Sequence, residues 1–200
     1  MQLTFVVVGA SGTIGKVVAK TLEESGHKVI RVSRSSDDYQ VDISNEESLK
    51  ELFKNIGKFD GVAVAAGDVR ALPLELLTVK DFQYSIQNKM MGQINTVLAA
   101  LPYINDKGSF ALISGILVNE PILGGVTGTT VNGAVEGFVR AAANEMPRGI
   151  RINCISPNVL LESPAYHPYF PGFIPVEAWK VGKAYERALL GVITGRVISV

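Results

Sequence analysis

The residues with the most chemical content are glycines. Gly9-Ala10-Ser11-Gly12-Thr13-Ile14-Gly15 follows a continuous apolar, β-branched run at residues 3–8 and opens a stretch with helical spacing. Strand, tight glycine turn and helix together form the arrangement that binds the pyrophosphate of a dinucleotide. Glycine admits φ > 0 in the turn and lets backbone N–H groups approach phosphate oxygens, while the helix N-terminus supplies partial positive charge. Gly9, Ser11, Gly12, Thr13, Ile14 and Gly15 are the expected phosphate-side residues. The same segment could form a ligand-free βα turn; the strand before it and the helix after it favour the dinucleotide.

The end of the second strand selects the nucleotide. An acidic residue there would accept hydrogen bonds from the adenosine ribose of NAD. This chain has Ser33-Arg34-Ser35 before any aspartate. Arg34 can pair bidentately with a 2′-phosphate, and Ser33 or Ser35 can add a hydroxyl, so NADP is expected over NAD. Arg31 lies in the same strand, and an ordinary surface role for Arg34 is the alternative.

Positioning these residues takes a sheet. Residues 28–33, 39–41, 59–65, 109–114, 150–155 and 196–200 read as further strands, making seven with the first. Ile14, Val17, Val18 and Leu22 fall at helical spacing, and Gly26 is placed to end that helix. Further helices are expected at 46–55, along a stretch containing Phe82, Ile86, Ile94, Val97, Leu98 and Leu101 that Pro102 closes, and at about 176–190. Another carries Val131, Val135, Phe138, Val139 and Ala142 on one face and ends before Pro147. Regular strand–helix alternation means βαβ units, a parallel sheet and right-handed crossovers. The expected architecture is α/β, a Rossmann-type doubly wound domain over residues 1–200. Residues 157–175 carry five prolines and four aromatics without a period and read as an irregular lid.

Composition narrows the partners. At 200 residues, 47% hydrophobic and 19% charged, the chain is a well-buried globular domain. Lysine plus arginine and aspartate plus glutamate each number 19, so no global field recruits nucleic acid or an anionic membrane. The apolar runs fall far short of the ~20 residues of a membrane span. With one cysteine, Cys154, and two histidines, neither a disulfide nor a structural metal site is expected, and the location reads as cytoplasmic. Cys154, inside a strand, reads as a small buried hydrophobe, Trp179 as an anchor for the last helix, and Glu136 with Arg140 as a solvent-facing helical pair.

With these residues in place the chain resembles the short-chain dehydrogenase/reductase superfamily over nearly its whole length. Val41-Asp42-Ile43 resembles the segment that contacts adenine, and Ala65-Ala66-Gly67 the family's Asn-Ala-Gly motif. Asn88 stands where the family keeps an asparagine in the central helix, and Leu112-Ile113-Ser114-Gly115 resembles the strand ending at the catalytic serine. Ile152-Asn153-Cys154-Ile155-Ser156-Pro157 is similar to the strand and proline beside the nicotinamide, and Ile193-Thr194-Gly195-Arg196-Val197 to the final strand. The resemblance implies cofactor contacts at Asp42, Ile43, Ala65, Ala66, Gly67, Asn132 and Pro157, and catalytic roles for Asn88 and Ser114.

The departures fall on the chemistry. Aligning Gly137-Phe138 with the family's post-catalytic helix puts Gly128 at the catalytic tyrosine, Asn132 at the lysine and Gly115 at the serine. Ser114, one residue earlier, would face the other way on a regular strand. Glu162 falls where a threonine commonly holds the carboxamide. Substitute proton donors near the strand ends are Ser114, Thr127, Thr129, Glu162, Tyr166, His167 and Tyr169. The expected activity is NADP-dependent oxidoreduction of an unidentified carbonyl or alcohol. The alternatives are a non-catalytic NADP-binding sensor or partner-binding protein, and an NADP-dependent isomerisation that needs no tyrosine. The resemblance also implies a homodimer or homotetramer packed through residues 81–101 and 133–145.

Overall fold

The computed structural model describes residues 1–35 and 38–200. Its seven strands are β1 (Thr4–Val8), β2 (Lys28–Ser33), β3 (Tyr39–Gln40), β4 (Phe59–Val64), β5 (Ile104–Ile113), β6 (Arg151–Ser156) and β7 (Val197–Ser199). They form one sheet in the order β3-β2-β1-β4-β5-β6-β7. Every adjacent pair is parallel. The helices are α1 (Thr13–Glu24), α2 (Glu46–Ile56), α3 (Val79–Ser85), α4 (Gly92–Ala100), α5 (Val126–Ala142) and α6 (Ala178–Leu190). The doubly wound single-sheet architecture follows the alternation read from the sequence.

Both faces of the sheet are covered, which is why its central strands β1 and β4 are largely apolar. Along β1, Phe5 and Val7 belong to a core shared with Leu22 of α1 and Val181, Tyr185 and Leu189 of α6. Val6 and Val8 point the other way, into a core with Leu49 and Phe53 of α2, Val97 of α4 and Val135 and Val139 of α5. The chain reverses direction across the sheet between β1 and β4, so the carboxyl ends of these strands open a cleft at the switch point.

The boundaries differ from the expected ones where tertiary contacts decide them. β5 starts five residues earlier than the apolar run, because Ile104 pairs with Phe59 before the register shifts to Gly61–Ser109. The central helix is not continuous: a π-helical turn, Ile86–Met91, separates α3 from α4. Trp179 does not anchor the last helix, being 55% exposed. That role falls to Tyr185, fully buried, whose hydroxyl donates to Val64 O at 2.6 Å. Tyr185→Phe is expected to cost about 1–3 kcal/mol by orphaning that buried carbonyl, measured as a lower urea midpoint at unchanged slope. His27 is structural: its Nδ1 accepts from Leu3 N at 3.2 Å and its ring meets Phe5 edge-on.

Candidate functional site

The glycine turn is built by close backbone approach. Gly9 and Ala10 N–H donate to Val32 O at 2.7 and 3.1 Å, which holds the turn against β2. Gly9 has φ +89°, and a Cβ there would lie 2.5 Å from Ala65 O. A Cβ on Gly15 would lie 2.0 Å from Gly9 O, so the first turn of α1 packs directly on the loop. Gly12 is the N-cap of α1 and offers no side-chain cap, so first-turn N–H groups of the helix stay open to an anion.

A cavity of ≈ 340 Å³ runs from this turn to the end of β2, lined by Gly9, Ser11, Gly12, Ser33, Arg34, Ser35, Asp42, Ile43, Ala65, Ala66, Gly67, Asp68 and Asn88. At its far wall Arg34 is exposed, and Ser33 Oγ accepts from Ser35 N at 3.2 Å. Arg31 is engaged elsewhere, in a two-pronged pair with Glu23 of α1 at 2.9 Å for each contact, so Arg34 is the cation of this wall. Asp42 accepts from Ser44 Oγ at 2.7 Å and Ser44 N at 2.9 Å. Those hydrogen bonds hold its carboxyl below the usual range.

A second cavity, ≈ 360 Å³, continues from the shared residues Ala65, Ala66 and Gly67. Ile14, Lys89, Ser114, Gly115, Asn132 and Pro157 line it, together with Tyr166 and Phe170. These aromatics come from the expected lid, whose Pro164–Tyr169 turn is 3₁₀-helical. The lid is tied at its base by Val176 N to Val159 O at 2.9 Å and by His167 Nε2 to Leu160 O at 2.8 Å. Thr13 and Gly15 line neither cavity; Gly15 acts through the packing of α1.

The substitute acids fare differently. Glu162 is a helix cap, both oxygens accepting from Ala178 N at 3.0 Å. Thr129 Oγ1 donates to Leu117 O at 3.0 Å, Thr127 Oγ1 donates to Arg70 O, and Tyr169 does not line the cavity. Asn88 turns its amide to Tyr84 O at 3.0 Å and borders the first cavity. Ser114 is 4% exposed and its Oγ donates to Glu136 Oε1 at 2.9 Å. Its hydroxyl thus points to α5.

Glu136 corrects the expectation of a solvent-facing pair. It is 2% exposed, while Arg140, at 3.0 Å from Oε2, lies outside. Gly128, Asn132 and Glu136 recur every four residues on one face of α5, beside the apolar stripe, and that face meets the ends of β5 and β6. Asn132 is buried and its Oδ1 has no partner among the described residues; the Ser156 Oγ is the other such atom. An unsatisfied buried acceptor opposite the glycine turn fits a nicotinamide ribose hydroxyl. Glycines without room for a Cβ, an uncapped helix, Arg34 and Asn132 together fit the dinucleotide expected from the glycine turn.

Lys89 was not singled out by its sequence context, because a helical lysine ordinarily reads as solvated. One signal was present: it is the only charged residue between Phe82 and Asn105. The structure half-buries it beside the second cavity, where Nζ donates to Ser114 O at 3.3 Å. Desolvation pushes its pKa down to about 8. Cys154 is buried in β6, and desolvation pushes its thiol up to about 12. Among the described residues no cluster of metal-ligating side chains occurs, and no helix is long and apolar enough to cross a membrane.

Comparison with known proteins places this geometry among relatives. A family model described as enoyl-(acyl carrier protein) reductase matches residues 9–173. The crystal structure of the protein lin1944 from Listeria innocua is 44% identical, with a TM-score of 0.97 over 99% of each chain. A small-chain dehydrogenase solved in complex with NADPH is 27% identical, with a TM-score of 0.88 over 100% of this chain and 97% of that one. A 3-ketodihydrosphingosine reductase of Bacteroides thetaiotaomicron is 29% identical over 170 residues, covering 76% of this chain but only 61% of that protein.

Proposed function

This chain belongs to the short-chain dehydrogenase/reductase superfamily, and from that membership and the geometry of its cleft we propose that it is an NADPH-dependent oxidoreductase of a small carbonyl or alcohol substrate. The observation that carries the reading is that the two cavities share Ala65, Ala66 and Gly67 as lining residues. One end offers an arginine and hydroxyls suited to an adenosine 2′-phosphate, and the other an unsatisfied amide oxygen beside a lidded pocket. The NADPH complex of a 27%-identical relative supports the choice of cofactor.

In this reading the bound dinucleotide supplies hydride. Gly9, Ser11, Gly12 and the first turn of α1 would hold the pyrophosphate, Arg34 with Ser33 the 2′-phosphate, Asp42 and Ile43 the adenosine, and Asn132 with Pro157 the nicotinamide side. Gly128 and Asn132 stand for the family's tyrosine and lysine, so the proton must come from elsewhere. Loss of general acid assistance typically forfeits about 10²–10⁴ in rate.

Calorimetric titration with NADPH and NADH, followed by a carbonyl-reduction screen, tests the proposal. Binding of NADPH with turnover supports an oxidoreductase; binding without turnover across aldehydes, ketones and diketones favours the sensor reading. No binding of either nucleotide defeats both. A homodimer or homotetramer is expected, because Gly137 and Ala141 leave the outer face of α5 open to close helix approach. A monomeric mass by light scattering at micromolar protein would overturn that expectation.

A further inference from the structure

An oxidoreductase in which glycine stands for the tyrosine needs another proton donor, and one side chain of the second cavity meets the requirement. We infer that the Lys89 ammonium is the catalytic acid, donating its proton to the substrate carbonyl oxygen in this cavity; the assignment rests on the oxidoreductase reading above. Lys89 shares the cavity with Ser114, Gly115 and Asn132, and the family alignment places the catalytic serine at Gly115, next to Ser114, and the lysine at Asn132.

Its placement is enforced from three sides. The π-helical turn carries it, and Gln93, four residues on, is fully buried and clamped to β5. The Gln93 amide donates to Ile113 O and accepts from Ile113 N, each at 2.8 Å. The lysine stem lies against Gly67, where an added Cβ would fall 2.8 Å from Lys89 Cγ and 3.1 Å from its Cα. Gly67 therefore both borders the cofactor cavity and makes room for the lysine. Nζ donates to one carbonyl, Ser114 O, and no carboxylate lies within ion-pair distance of it among the described residues. An ammonium has three N–H donors, so two remain for a ligand in the cavity.

The electrostatic surroundings suit proton exchange near neutrality. Burial lowers the Lys89 pKa to about 8, with the Asp68 carboxylate opposing that shift. Asp68, beyond Gly67, accepts from the Tyr84 hydroxyl at 2.6 Å, and Glu136 accepts from Ser114 Oγ. The Cys154 thiol, at about 12, stays protonated throughout the working range. Tyr166 faces the cavity from the lid.

The step balances as follows. With a reduced nicotinamide bound, its hydride would become the C–H bond at the carbonyl carbon as the C=O π pair moves to oxygen. An N–H bond of Lys89 breaks and the O–H bond forms, giving alcohol, oxidised dinucleotide and neutral amine, which water reprotonates. Carbonyl reduction is thus full below pH 8 and falls as pH rises through it, whereas alcohol oxidation, needing the neutral amine, rises.

Two measurements test the inference. With 4-nitrobenzaldehyde and 2,3-hexanedione as probes, Lys89→Met is expected to bind NADPH within about tenfold of wild type and to lose about 10²–10⁴ in kcat. Lys89→Arg should lose about as much rate as Lys89→Met, since a guanidinium keeps its charge but does not release a proton in this range, and the fall of rate near pH 8 should go with it. Independently of turnover, competitive acylation of the cofactor-free protein read by mass spectrometry should give Lys89 a midpoint near pH 8, against about 10.4 for ordinary lysines. Lys89→Met reducing the probes at the wild-type rate, or a Lys89 midpoint at the ordinary lysine value, overturns the assignment while NADPH binding leaves the oxidoreductase reading intact. Failure of the wild-type chain to bind NADPH defeats that reading instead, and the assignment with it.

Discussion

Gly15→Ala is expected to weaken NADPH binding by roughly 100-fold or more and to destabilise the domain by about 1–3 kcal/mol, the usual cost of overpacking. The methyl group would meet Gly9 O at 2.0 Å, Gly9 C at 2.6 Å and Ala10 Cα at 2.9 Å. All three are backbone atoms, so no side-chain rotation relieves the clash. Either α1 lifts from the turn or Gly9 moves off Val32 O, and both displace the N–H groups that would face the pyrophosphate. Gly12→Ala is the internal control, since its Cβ would have only Gly9 O at 3.4 Å for a neighbour. It should leave the melting temperature nearly unchanged. Calorimetry and thermal melts of the two variants side by side decide the matter: equal affinity for NADPH in Gly15→Ala and wild type would show that the phosphates bind elsewhere.

Arg34→Glu should reverse the cofactor preference, weakening NADPH by roughly 100-fold while changing NADH by less than about threefold. Hydrogen bonds to charged groups contribute about 1.5–3 kcal/mol, and tenfold in affinity corresponds to about 1.4 kcal/mol, so losing a bidentate contact alone gives that order. The new carboxylate adds repulsion toward a 2′-phosphate and an acceptor for a ribose hydroxyl. Arg31 cannot readily take over, because its guanidinium is paired with Glu23 on the α1 side of β2. The effect on NADPH should shrink with added salt, as expected for an exposed charge. Equal losses for the two nucleotides would remove Arg34 from the phosphate site.

The sheet was legible because both of its faces are covered. Parallel strands buried on two sides carry apolar residues on both faces, and residues 3–8 and 59–65 do, each with one polar interruption. The glycine turn was legible for a related reason: backbone contact excludes side chains at Gly9 and Gly15, and that exclusion leaves a mark in residue type. The early start of β5 carried no such mark, since residues 105–108 are polar and glycine-containing and are recruited by pairing with β4. Trp179 misled because size alone suggested burial, whereas position on α6 turns Tyr185 inward.

The candidate site divides along the same line. On its cofactor side, Gly9, Ser11, Gly12 and Arg34 are legible from types and spacing, Asp42 and Ala65-Ala66-Gly67 only through the family resemblance, and all border one cavity. Its reactive side was not legible. Helical periodicity says that Glu136 and Lys89 are polar residues on helices, and the ordinary place for such residues is solvent. Burial at these positions is a property of how α5 and the π-helical turn dock on the ends of β5 and β6, over distances in sequence that no local pattern spans. The chain by itself determined the doubly wound sheet and the dinucleotide turn, because each is enforced by contacts that repeat along the sequence or lie within a few residues. Only the tertiary structure set a lysine into the lidded pocket with one carbonyl for company, because desolvation is a sum over neighbours that the sequence brings from β4, β5 and β6 at once.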